Sequence, residues 1–175
     1  MIMDATRQAR VSKNTREREI TVARLLHAPR ELVWDGLTSP EHIARWWGPK
    51  GWTTTVYRMD VRPGGLWHYC MRPDHGAAEE VWGRAVYRDI EQPAQLGYLE
   101  TFSDADGNVV GDSRRTVTVE LLDRGEHTDL FVRTRFDTVE DLEAMEKLGM
   151  AAGFSMTLDR FDEWLTTPTA KGSAT

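Results

Sequence analysis

Apolar and polar residues alternate with a period of two along much of the middle of this chain. Over 114–122, Val117, Val119 and Leu121 alternate with Thr116, Thr118 and Glu120, as in an antiparallel strand with one packed and one wet face. Comparable runs predict strands over 52–61, 66–72, 79–90, 95–102, 114–122 and 128–136. They are separated by turn residues: Pro63-Gly64-Gly65, Pro73 to Gly76, Gln92-Pro93, Asp104 to Gly107, and Asp123 to Gly125. Six successive strands form a meander, and an earlier run over 19–27, carrying Ile20 and Val22 in phase, adds a seventh. Between that run and the meander, Pro29 and Ser39-Pro40 are helix-start signals. They predict two short helices over 29–37 and 41–47, the second stopped by Gly48-Pro49.

After the meander the period lengthens. From Val139 to Leu165 there is no Pro and no turn cluster, and apolar residues recur at helical spacing. Leu142, Met145, Gly149, Ala152 and Met156 share one stripe, while Phe154, Leu158, Phe161 and Leu165 share another, rotated around the cylinder. One flat contact cannot bury both, whereas a sheet curving around the helix can. The spacing therefore predicts an α+β fold in which a seven-stranded curved antiparallel sheet wraps one long C-terminal helix. The phase changes beside Gly149 and Gly153, each costing about 1 kcal/mol relative to Ala within a helix. Backbone there is expected to lie close to sheet, or to a ligand held between sheet and helix. The polar segments 1–18 and 166–175 read as a flexible arm and a disordered tail around one domain over 19–165.

Composition narrows the function. In 175 residues the formal net charge is −6 with both signs interspersed, unlike the basic stripe of a nucleic-acid-binding surface. No apolar run approaches the roughly 18 residues of a membrane span, and there is no secretory-signal core. Cys70 is the one cysteine, which excludes an intrachain disulfide and suits a reducing, cytoplasmic setting. Seven Trp, six of them before Gly83, supply either core or the wall of a wide apolar pocket.

Three segments carry a family resemblance: Ala28 to Trp34 with Arg45-Trp46-Trp47-Gly48-Pro49-Lys50-Gly51-Trp52; Pro63-Gly64-Gly65-Leu66-Trp67; and Gly153-Phe154-Ser155 ahead of Leu158-Asp159-Arg160-Phe161. Over residues 19–165 the chain resembles the bacterial single-domain relatives of the activator of heat-shock-protein ATPase, within the START-like or SRPBCC superfamily. The resemblance implies a helix-grip fold and a cavity. Members of the superfamily bind lipids, polyketides, hormones or partner proteins. The sequence does not contain the separate N-terminal domain of full-length chaperone activators, so a chaperone partner is the weaker expectation.

The candidate ligand-binding residues are Trp46, Trp47, Trp67, Tyr69, Trp82, Arg84, Glu100, Met145, Gly149, Gly153 and Phe154. Strand alternation puts Trp67, Tyr69 and Met71 on one face, opposite His68 and Cys70. Trp46 and Trp47 diverge by roughly 100° on a helix, so one enters the core and the other rims the pocket. Arg84 and Glu100 stand in apolar or aromatic company: either they face the cavity, where a charge needs a partner, or they lie on the wet face. His68, Cys70, Asp74 and His75 have no fourth ligand at a recognisable spacing. Asp104 to Asn108 fails as a calcium loop, since Arg115 stands where a bidentate Glu belongs. No catalytic motif, nucleophile elbow or phosphate loop is present, and no cofactor or metal is expected. Three functions fit: binding of a hydrophobic or aromatic small molecule; a cyclase- or hydrolase-type enzyme using Tyr69, Arg84 or Glu100; and a chaperone cofactor or interaction module with an apolar patch around Trp47 and Trp52. Edge strands and surface Trp are compatible with a homodimer.

Overall fold

The computed structural model describes residues 8–172. Its strands are β1 (Arg10–Asn14), β2 (Glu19–Leu26), β3 (Trp52–Met59), β4 (Leu66–Pro73), β5 (Val81–Glu91), β6 (Gln95–Ser103), β7 (Val109–Arg124) and β8 (His127–Phe136). The helices are α1 (Arg30–Thr38) and α2 (Pro40–Trp46) after β2, then α3 (Val139–Lys147), α4 (Met150–Leu165) and α5 (Pro168–Gly172). The strands form one antiparallel sheet in the order β1-β2-β8-β7-β6-β5-β4-β3. The meander runs unbroken from β3 to β8, and β2 closes against its far end, Val22 opposite Val132. Register shifts at Val56/Arg58, Tyr87/Ile90 and Thr101/Ser103 bend individual strands. The curved sheet and its C-terminal helix make a helix-grip fold.

Three expectations are corrected. The sheet has eight strands, because Arg10–Asn14, expected within the arm, pair with β2 from Arg10 opposite Ala23 to Asn14 opposite Glu19. All five residues of β1 are exposed, so no apolar alternation marks the strand. Part of the expected tail is α5, whose Ala170 is fully buried. The expectations for residues 1–7 and 173–175 lie outside the described residues. The long C-terminal helix is two helices. Leu148 caps α3, Gly149 takes the left-handed conformation at φ +76°, and α4 starts at Met150. Thr138 begins the pair, its hydroxyl accepting the Asp141 N–H at 3.0 Å.

The core lies between the inner face of the sheet and α1, α2 and the second half of α4. Leu158, Phe161, Trp164 and Leu165 are the large apolar side chains α4 buries. Phe161 stacks on Trp46 with ring centroids 3.8 Å apart. A methyl group on Gly36 would stand 2.7 Å from the Phe161 ring, so this glycine lets α1 close onto α4. Polar contacts fix the same half. Arg24, only 6% exposed, pairs with Asp159 and, at 3.2 Å, with Asp162, whose carboxylate also accepts the His27 backbone N–H at 2.8 Å. Among the described residues no helix is long and apolar enough to cross a membrane.

Candidate functional site

Burial along α4 is uneven: no residue from Met150 to Met156 is buried, and burial begins at Thr157. The first turns stand off the sheet, leaving a cavity of about 320 Å³, at the small end of the range of about 300–1,000 Å³ typical of ligand pockets. One wall is the inner face of the sheet, with Val22, Tyr69, Tyr98, Val117 and Val132. The other is α3 and α4, with Met145, Met150 and Phe154, and the mouth is bounded by Trp47 to Pro49, Trp52 and Leu148. Leu148 is 75% exposed, which places it at the rim.

Arg160 and Thr54 hold the mouth. Arg160 Nη1 donates to the carbonyls of Gly48, Pro49 and Trp52 at 2.9, 3.2 and 3.1 Å. The loop between α2 and β3 is thereby tied to α4. Thr54 adds a hydrogen bond of 2.6 Å to the Trp47 carbonyl.

A polar cluster stands in this otherwise apolar cavity. Glu100 on β6 lies opposite Arg115 on β7 in the ladder, and Arg115 Nε donates to Glu100 Oε2 at 3.2 Å. The Tyr69 hydroxyl donates to Glu100 Oε1 at 2.9 Å. Tyr69 reaches it from β4 by crossing β5 at Gly83, its ladder partner; any larger residue would occupy the space of the phenol ring. The Arg115 guanidinium also lies 4.7 Å from the Phe102 ring centroid, and its Nη1 points to Met145 Sδ at 3.9 Å. Burial, and after it the nearby Glu100 carboxylate, pushes the Tyr69 and Tyr98 hydroxyls well above their usual pKa. Both remain neutral donors throughout the physiological range.

Seven of the eleven candidate residues line the cavity: Trp47, Tyr69, Glu100, Met145, Gly149, Gly153 and Phe154. Four do not. Trp46 is 1% exposed in the core, its indole N–H donating to the Gly36 carbonyl at 3.0 Å. Trp67 is buried behind the wall, against Trp47 and Tyr98. Trp82 and Arg84 are on the outer face, because Gly83, Ala85 and Tyr87 take the inward positions of β5. There Trp82 stacks on His68 with centroids 5.3 Å apart and donates to Glu80 at 2.9 Å. The expected close backbone approach at Gly149 and Gly153 is absent: an added methyl on either would meet nothing within 4 Å. These glycines widen the cavity instead. Arg115 and Tyr98 were not among the candidates, although alternation held the signal: Arg115 is in phase with Val117 and Val119, and Tyr98 with Glu100 and Phe102. His68 and Cys70 also face outward, and among the described residues no group of three or more His, Cys, Asp or Glu is placed to hold a metal ion.

The family described as Activator of Hsp90 ATPase homolog 1-like protein matches residues 27–166. The chain belongs to this family. Its solved relatives share the fold of this Activator of Hsp90 ATPase homolog 1-like chain. A solution structure of a protein from Arthrobacter aurescens is 25% identical over 91% of this chain and 92% of its own, with a TM-score of 0.84. A crystal structure of a Mycobacterium smegmatis protein is 24% identical over 90% and 96%, with a TM-score of 0.83. A solution structure of a like-named family protein from Aeromonas hydrophila is 23% identical over 88% and 94%, with a TM-score of 0.64. No curated protein sequence matches the chain. The family lies within the START-like or SRPBCC superfamily, a family of ligand-binding domains.

Proposed function

We propose that this protein binds a hydrophobic or aromatic small molecule in the cavity between the sheet and the α3–α4 pair. The observation that carries the proposal is the unfilled volume of about 320 Å³ beside Gly149 and Gly153. Open apolar volume inside a domain forfeits contacts that close packing would supply, and an apolar occupant restores them. Aromatic rings at the mouth and on the floor suit a flat occupant: Trp47 meets Trp67, Tyr69 and Phe154 edge to face. A thermal-shift panel of apolar and aromatic compounds tests the proposal. A compound at 100 times its dissociation constant adds about 2.7 kcal/mol, which raises the melting temperature by about 5–10 °C in a chain of this size. If no compound in the panel moves it, the proposal is wrong.

The contact between Tyr69 and Glu100 supports a second reading, in which the same cavity carries out a cyclase- or hydrolase-type reaction. Two of its three candidate groups, Tyr69 and Glu100, meet at 2.9 Å, while Arg84 is on the outer face. Turnover of a bound compound, seen by mass spectrometry and lost in both Tyr69→Phe and Glu100→Gln, would establish catalysis. The interaction-module reading has less support, since Trp47 is buried and Trp52 half-buried at the mouth rather than forming an exposed patch.

A further inference from the structure

In the polar cluster around Glu100, two hydrogen-bond donors have no acceptor. Tyr98 is 6% exposed and Arg115 5% exposed, and both line the cavity. The Tyr98 hydroxyl and Arg115 Nη2 make no hydrogen bond with any described residue. Neither atom is sealed off by protein, so what little surface they retain opens into the hollow. The remaining members of the cluster are occupied: Arg115 Nε and the Tyr69 hydroxyl both donate to Glu100. Buried donors left without an acceptor are costly, and a site built with them discriminates strongly for an occupant that supplies one.

Charge decides which acceptor. Glu100 neutralises Arg115, so the cluster carries no net charge within apolar walls. A carboxylate on the occupant would bring a second negative charge close to Glu100 and leave it uncompensated in a poorly solvated space. A hydrocarbon would displace water from both donors and return nothing. A neutral oxygen with lone pairs satisfies both donors without changing the charge.

We propose that the occupant carries a neutral carbonyl on its aromatic body, and that Tyr98 and Arg115 receive that oxygen. This specifies the ligand class for the cavity reading above and rests on that reading. The Glu100 carboxylate acts as the positioning residue: it holds the guanidinium by Nε, leaving Nη2 for the carbonyl, and it cancels the charge that would otherwise select an anion.

Three probes of related shape separate the cases: fluorene, 9-fluorenone and fluorene-9-carboxylate, titrated against the full chain by quenching of its tryptophan fluorescence. The expected result is that 9-fluorenone binds about tenfold more tightly than fluorene, the return on roughly one well-made hydrogen bond. The carboxylate is expected to bind more weakly than 9-fluorenone by at least about the same factor. In Tyr98→Phe the ratio of fluorenone to fluorene affinity falls toward one. In the charge-neutral double variant Glu100→Gln/Arg115→Met, which leaves no buried ion unpaired, it falls as well. Equal binding of fluorene and fluorenone by the native chain, or a ratio that survives in both variants, overturns the carbonyl assignment while leaving the cavity reading intact. Tightest binding by the carboxylate overturns it in favour of an anion receptor. Failure of all three probes to bind, while other aromatic compounds raise the melting temperature, overturns this inference and leaves the cavity reading standing; failure of those compounds as well removes both.

Discussion

At Gly83 a methyl group would stand 2.3 Å from Tyr69 Cζ and 2.5 Å from its hydroxyl oxygen, so the contact between Tyr69 and Glu100 depends on the absence of a side chain one strand away. Gly83→Ala is expected to push the ring out of its place and to destabilise the fold by about 2 kcal/mol. Urea denaturation measures this; a loss below about 0.5 kcal/mol would show that Tyr69 can yield. The ion pair beneath it gives a sharper expectation. Arg115→Met leaves a nearly buried carboxylate without its partner, at about 3 kcal/mol, whereas the double variant with Glu100→Gln costs less than the single one. Additive losses in the same denaturation series would contradict a coupled pair. At this scale strand alternation carries the signal, and the identity of a single large side chain does not. Trp82, expected to line the cavity, lies on the outer face because its strand turns Gly83 inward to make room for a ring from β4. Arg115 shares the inward phase of Val117 and Val119, and the partner its charge needs there, Glu100, is identified only once β6 and β7 are in register.

The break between α3 and α4 shapes the cavity at the scale of elements. Gly149 at φ +76° sits where a side chain is strained by roughly 1–2 kcal/mol, and it separates α3 from α4. Gly149→Ala should therefore lower stability by about 1 kcal/mol, read from the denaturation midpoint. An unchanged midpoint would mean that the junction relaxes into a continuous helix. The two apolar stripes seen in the sequence record this break, but a glycine within a helix is tolerated at about 1 kcal/mol, so the phase change alone did not separate a kink from two helices. Across the cavity, Arg160 supplies the element-scale link, with two carbonyls of the α2–β3 loop and that of Trp52 at the start of β3 accepting from one guanidinium nitrogen. Arg160→Ala should accelerate amide exchange over 48–54 while leaving the central strands protected. Equal protection in the two proteins would show that the loop is held by other contacts.

For the whole molecule, the fold was legible because its signals agree: six hairpin-linked strands, a preceding strand, two short helices with Pro at their starts, and a helical period at the end. β1 was not legible, since a strand with every residue exposed carries no pattern and owes its place to pairing with β2. A hollow between sheet and helix was expected from Gly149, Gly153 and the tryptophans, but its polar cluster depends on which side chains meet across strands, which a linear pattern does not show. Stability against pH follows from its buried phenols. Tyr69 and Tyr98 have folded pKa values raised well above the unfolded value of 10.0, so their contribution is complete below pH 10. It is lost as pH rises further, because the unfolded chain releases protons that the folded chain retains. Each adds a slope of up to about 1.4 kcal/mol per pH unit, and Tyr98→Phe should remove one such share. The central claim, that the hollow exists to be filled, is tested most directly by calorimetric titration of the native chain and Gly153→Leu with an aromatic compound that stabilises the native chain. The Cβ of a residue at Gly153 meets nothing within 4 Å, and leucine improves the helix by about 0.5–1 kcal/mol. The variant is therefore predicted to melt no lower than the native chain and to give no binding heat. Equal affinity in the two proteins would place the compound elsewhere and contradict the account.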